Sequence, residues 1–166
     1  MKRTVSIILA LICVLSLASC GANTLDKTSG EIAESLPEKI DLSELDVLTD
    51  EDEGSTDLLF FVYDLDESLG GAIESFMITN VHRNTDPRAI AVLFFKDSEN
   101  VKDNIASAKA CLGEFLETRR NATATYDPES AAIVNAAAFK EYDNALVMVS
   151  YDTNGNTEVF NAIEGK

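Results

Sequence analysis

Few residues in this 166-residue chain have the types and spacing for chemistry. The single histidine, His82, shares a short segment with Arg83 and Arg88: His82-Arg83-Asn84-Thr85-Asp86-Pro87-Arg88. Three potentially cationic groups so close together stand out in a chain of formal net charge −16. Guanidinium groups hold carboxylates and phosphates bidentately. His82, Arg83 and Arg88 are therefore the candidate contact for an anionic ligand or an acidic partner. In the competing reading Asp86 and nearby acids neutralise them and the segment is only a solvated turn. A hydrolytic triad would need His82 with a serine and an acid, and the chain has no G-x-S-x-G elbow. It also has no H-E-x-x-H and no paired C-x-x-C, so a zinc site lacks ligands of the usual kinds, and no S-x-x-K or phosphate-cradling glycine loop occurs. Asp50-Glu51-Asp52-Glu53-Gly54 resembles half of a calcium loop, but its glycine comes one position early and no glutamate follows at the twelfth position. It reads as a solvated loop or a helix N-terminus. No catalytic residue, metal ligand or cofactor is assigned; a pair of carboxylates working as in a glycosidase is the enzymatic alternative.

The other reactive position lies near the N-terminus. Lys2 and Arg3 precede an apolar stretch, Thr4 to Ser16, too short for a comfortable span of ~20 residues. Small residues follow, as in an export signal. Leu17-Ala18-Ser19-Cys20-Gly21 looks like the bacterial lipobox, in which a diacylglyceryl group is joined to the cysteine thiol before cleavage. Residues 1–19 are then the signal peptide and Cys20 is the lipidated first residue of the mature chain. Two acyl chains anchor stably where one does not. The expected location is the outer face of the cell membrane. Of the other cysteines, Cys13 leaves with the signal and Cys111 reads as a small buried or half-buried hydrophobe.

Removal of Lys2 and Arg3 moves the net charge from −16 to −18. So acidic a chain has no basic surface for phosphate backbones, which argues against nucleic acid, and it is repelled by anionic headgroups, so attachment must be covalent. The length after Cys20 suits one domain with a real core.

The elements that must position these residues follow from periodicity. Residues 20–29 read as a small, polar tether and 30–166 as one domain. Ser29 can cap a short helix whose Ile32, Ala33 and Leu36 share a face, ended by Pro37. Leu42, Leu45, Val47 and Leu48 alternate loosely with acids. Local propensity makes Leu58 to Leu65 a buried strand. Ile73 to Val81 and the wholly apolar Ala89 to Phe95 form a hairpin. Asp97-Ser98 caps a long helix with a stripe at Val101, Ile105, Ala108, Leu112, Phe115 and Leu116, and Arg119 and Arg120 occupy its last turn. Pro128 suits a first helical position. Ala136 to Lys140 and Ala145 to Tyr151 form a second hairpin, and Val159, Phe160 and Ile163 give a closing helix one apolar side. Two hairpins separated by a long helix imply an α+β domain: two layers, a mostly antiparallel sheet of about four strands with helices on one face.

This order, together with the lipobox, the Tyr126-Asp127-Pro128-Glu129 turn and a Val-rich strand before the last helix, resembles a family of clostridial-type Gram-positive lipoproteins. Their domain carries only an unknown-function label, number 4358. The resemblance covers roughly Leu58 to Ile163 and implies a helix, against local propensity, at Leu58 to Leu65, followed by a turn at Asp64-Leu65-Asp66. It implies no mechanism. The functional expectation is a lipid-anchored, extracytoplasmic, non-catalytic binding or interaction module with an envelope protein as partner. The alternative is a carboxylate-based envelope hydrolase.

Overall fold

The computed structural model describes residues 23–81, 86–154 and 156–166. Their centre is an antiparallel five-stranded sheet in the order β1-β2-β3-β5-β4. The strands are β1 (Leu45–Thr49), β2 (Ile73–Val81), β3 (Ala89–Phe95), β4 (Ala138–Glu141) and β5 (Ala145–Ser150). The helices are α1 (Ser29–Ser35), α2 (Ser55–Phe61), α3 (Val101–Tyr126), α4 (Pro128–Asn135) and α5 (Asn156–Glu164), with one 3-10 turn at Glu67–Gly71. The α+β class holds, with a fifth strand: Leu45–Thr49 adds itself antiparallel to the free edge of β2.

Every residue of β3 and of β5 is buried. Alternate side chains of a strand point to opposite faces, so both faces of these strands must be covered. One face presents Phe76, Ile78, Ala91, Leu93, Phe95, Leu146 and Met148 to α2, α3 and Val134 of α4. The other presents Met77, Ile90, Val92, Phe94, Val147 and Val149 to Ile32 and Leu36 of the first helical segment and to Val159, Ala162 and Ile163 of α5. The domain therefore has three layers, with helices on both faces, where two layers were expected. The β2–β3 register shifts between Ile73 and Ser75, and this irregularity lets Ile73 join Phe76 and Ile78 in the same cluster despite its odd spacing.

Leu58 to Leu65 is resolved by tertiary context. Helix α2 covers Ser55–Phe61 and buries Leu59, and Tyr63 follows it into the core. Asp64 adopts φ +57° in the turn that ends this segment, a left-handed conformation that Asp tolerates better than most residues. Gly54, at φ +80°, starts the helix from the corresponding backbone region.

Two boundaries differ from the sequence reading. Asn100, rather than Asp97 or Ser98, stands at the N-terminus of α3, without a side-chain cap bond. The helix then runs 26 residues to Tyr126, so Arg119 and Arg120 lie well before its last turn. In α1 the cap is Thr28, one residue before Ser29, which forms a reciprocal capping box with Glu31.

The long-helix stripe has the expected buried face: Ile105, Ala108, Leu112, Phe115 and Leu116 are all in the core, whereas Glu114 is exposed. Leu112→Ala should therefore cost ~2–5 kcal/mol by leaving a cavity, and Glu114→Ala no more than ~0.5 kcal/mol. Urea melts of the two variants check this; equal losses would mean that the helix packs by another face.

Candidate functional site

Arg88 lies at the root of the β2–β3 hairpin, just before β3. Its Nε donates to Asp86 Oδ1 at 3.0 Å and its Nη2 to Asp86 Oδ2 at 2.7 Å, a two-pronged pair. The same Nη2 reaches Glu44 Oε2 at 3.0 Å, and the Arg88 amide donates to Asp86 Oδ1 at 2.9 Å. Burial alone would raise the Asp86 pKa. Hydrogen bonds from the Arg88 side chain and amide outweigh it and hold the carboxyl below its usual range. Hydrogen bonding to Asp86 is likewise the main reason that the Arg88 guanidinium is held more firmly protonated. Arg88 is thus committed to two carboxylates of its own chain. His82 and Arg83 lie outside the described residues, as does Cys20.

A second arginine, which the sequence reading placed at a helix terminus, completes this region. Arg119 of α3 donates through Nη1 to the backbone oxygens of Asp86, at 3.0 Å, and Arg88, at 3.3 Å. Its guanidinium lies 4.9 Å from the Phe115 ring centroid, and Phe115 stacks on Tyr63 at 4.8 Å. The hydroxyl of the buried Tyr63 donates to the Thr79 carbonyl oxygen at 2.6 Å, and Thr79 Oγ1 accepts from the Ile90 amide at 3.0 Å. The side chain of Thr79 fills the ladder position where the hairpin strands separate. One signal for Arg119 was present: it falls four residues after Phe115, and the buried Thr123 four residues later, so the core stripe continues through it.

Carboxylates gather here. Glu44, Asp86, Asp127 and Glu129 line one hollow of about 300 Å³ with Arg88 and Ser130. Arg88, Glu129, Ile133, Tyr151 and Asp152 line a neighbouring one of about 450 Å³. A glycosidase general acid needs a raised pKa. In this region Asp127 is lowered, first by the Ser130 hydroxyl and then by its amide, and Asp152 is lowered first by the Asn154 amide. Asp86, Asp127 and Asp152 are thus each stabilised as anions.

A second charged centre sits at the other end of the sheet. Glu164 of α5 accepts hydrogen bonds from Lys140, Lys166 and the Tyr142 hydroxyl. Burial would raise its pKa, yet these three donors together bring it down to about 2. Burial first, and then the Glu164 carboxylate, push the Tyr142 hydroxyl upward.

Elsewhere, Asp50 Oδ1 accepts from the Phe76 amide at 3.1 Å and Asp52 Oδ2 from the Thr49 amide at 2.6 Å. The calcium-like run thus ties its own loop to the sheet edge. Cys111 is half-buried against the α3 side of the core. Phe61 and Val62 are exposed side by side, at 77% and 44%. Among the described residues no helix is long and apolar enough to cross a membrane. No protein-family model, curated protein or solved structure matches the chain.

Two outcomes follow. Arg88→Ala strips a part-buried carboxylate of its partner and should cost ~1–3 kcal/mol, with Glu44→Ala nearly neutral; chemical denaturation measures both, and a neutral Arg88→Ala would show that the pair holds nothing together. Glu164 gives a pH signature. A carboxyl whose pKa is lowered on folding stabilises above its unfolded value and loses that contribution as pH falls through the folded one. Its window is therefore from about 4.5 down to about 2. Glu164→Gln should cost ~1–2 kcal/mol at pH 7, after allowance for exposed lysine partners, and the gap to the parent should close across that window. A gap that stays constant with pH would contradict the assignment.

Proposed function

We propose that the protein is a lipid-anchored, extracytoplasmic binding or interaction module on the outer face of the cell membrane. The observation that carries the reading is the segment Leu17-Ala18-Ser19-Cys20, preceded by a charged and then an apolar stretch. The reading is supported at the hollow by side chains spent on one another, Arg88 on Asp86 and Glu44 and the Ser130 hydroxyl on Asp127, which favours a non-catalytic module over a carboxylate-based hydrolase. The likeness to the uncharacterised lipoprotein family remains a resemblance of sequence pattern and assigns no activity. With Arg88 bound to Asp86 and Glu44, the contact proposed for an acidic envelope partner rests on His82 and Arg83.

Cys20→Ala should abolish incorporation of a fatty-acid analogue and leave precursor or released protein; labelling equal to that of the parent would end the anchored reading. Arg83→Ala keeps Asp86, Arg88 and Glu44 themselves unchanged. It should fold with unchanged stability and lose, in a salt-sensitive manner, a partner captured from native membranes by the parent. Full retention of that partner would remove Arg83 from the proposed contact.

A further inference from the structure

We infer that the end of the sheet carrying the β4–β5 turn lies against the lipid surface, with the β2–β3 hairpin at the opposite, outward end. The inference rests on the anchored reading and adds an orientation to it. Asn23 follows Cys20 by three residues, and three residues span at most ~11 Å. Asn23 is itself stitched to the turn. Its amide donates to Asp143 Oδ2 at 2.8 Å, its Nδ2 to the Glu141 carbonyl at 3.2 Å, and its carbonyl accepts from the Asp143 amide at 3.0 Å. Two residues on, the Leu25 amide donates to Asn144 Oδ1 at 2.9 Å, and Asn144 Nδ2 returns a bond to the Leu25 carbonyl at 3.1 Å. The Leu25 side chain is buried in the second core.

A chain held this way emerges from one fixed point and cannot act as a swinging tether. That point shares its end of the sheet with the last residues of β3, because the Phe95 amide donates to the Asn144 carbonyl. It also adjoins the start of α3, since Asn23 and Lys102 line the same hollow. Arg88 and Glu129 lie at the other end of the central strands. A six-residue strand such as β5 separates the two ends by ~20 Å.

Charge at the near end is mixed, since Asp26, Asp97, Glu99 and Asp103 lie among its lysines, so the covalent anchor and the fixed exit of the chain set the orientation. Lys27, Lys140 and Lys166 line a hollow of about 230 Å³ beside Asn23, and Lys96 and Lys102 are exposed around it. Lys140 and Lys166 are paired with Glu164, Lys109 with Glu141, and Asp143 accepts from the Asn23 amide.

The test uses the full lipidated chain in vesicles of phosphatidylcholine and phosphatidylglycerol with a nitroxide-headgroup lipid as quencher. In a Cys111→Ser background, a fluorophore is placed through Asp97→Cys at the near end or Glu129→Cys at the far end. Quenching at 97 should exceed that at 129 several-fold. A flexible twelve-residue insertion between Ala22 and Asn23 should erase the difference while the protein still floats with the vesicles. Equal quenching at the two positions in floating protein overturns the orientation alone. Failure of the uninserted protein to float overturns both the anchor and the orientation.

Discussion

Strands β3 and β5 are apolar along their whole length, and this constraint organises the rest of the molecule. Side chains on both of their faces must leave water, at ~25 cal/mol per Å² of apolar surface, and an antiparallel sheet with one solvated face cannot supply that. The long helix α3 covers one face with help from α2 and α4. The other face is left to short segments from the two chain ends: Leu25, Ile32 and Leu36 near the N-terminus, and Val159, Ala162 and Ile163 near the C-terminus. Neither segment is long enough to hold as an isolated helix in water, so each is held by the sheet it covers. The capping box at Thr28, the Asn23 and Leu25 bonds to the β4–β5 turn, and the three donors to Glu164 fasten these segments at their ends.

Residues 23–28 are accordingly part of the domain. Small and polar composition reads as a tether, yet Asn23 to Thr28 contributes a buried leucine and a run of hydrogen bonds to residues nearly 120 positions away. Such pairings have no sequence period, because both partners lie in turns. The Arg88–Asp86–Glu44 cluster lies at the opposite end of the central strands from these bonds.

Most of the secondary structure was legible where periodicity was strong. Ala89 to Phe95, the Ala145 strand and the α3 stripe are long apolar signals with one sensible reading. The edge strand Leu45–Thr49 was not legible as a strand: it is short, carries Asp46, and exists because β2 offers it a free edge. The second helical layer had a signal in the sequence, since β3 and β5 lack the alternation of a half-solvated strand. At the hairpin root, the Asp86–Arg88 pair could be anticipated from two positions' separation. Glu44 and Arg119, 44 and 33 positions from their partners, could not. The helical fate of Ser55–Phe61 went against its strand-like composition because Leu59 and Tyr63 are needed against Phe115 and the α3 face of the sheet.

Whether the N-terminal segment is structurally one with the sheet decides both the three-layer fold and the fixed position of Asn23 at the β4–β5 turn. Hydrogen exchange of the full-length protein measures it at single amides. The amides of Leu25 and Asp143, which donate to Asn144 and Asn23, should be protected to a degree comparable with the β5 amides, since opening them exposes the second core. Exchange of these two at the rate of an unstructured chain, with β3 and β5 still protected, would contradict it.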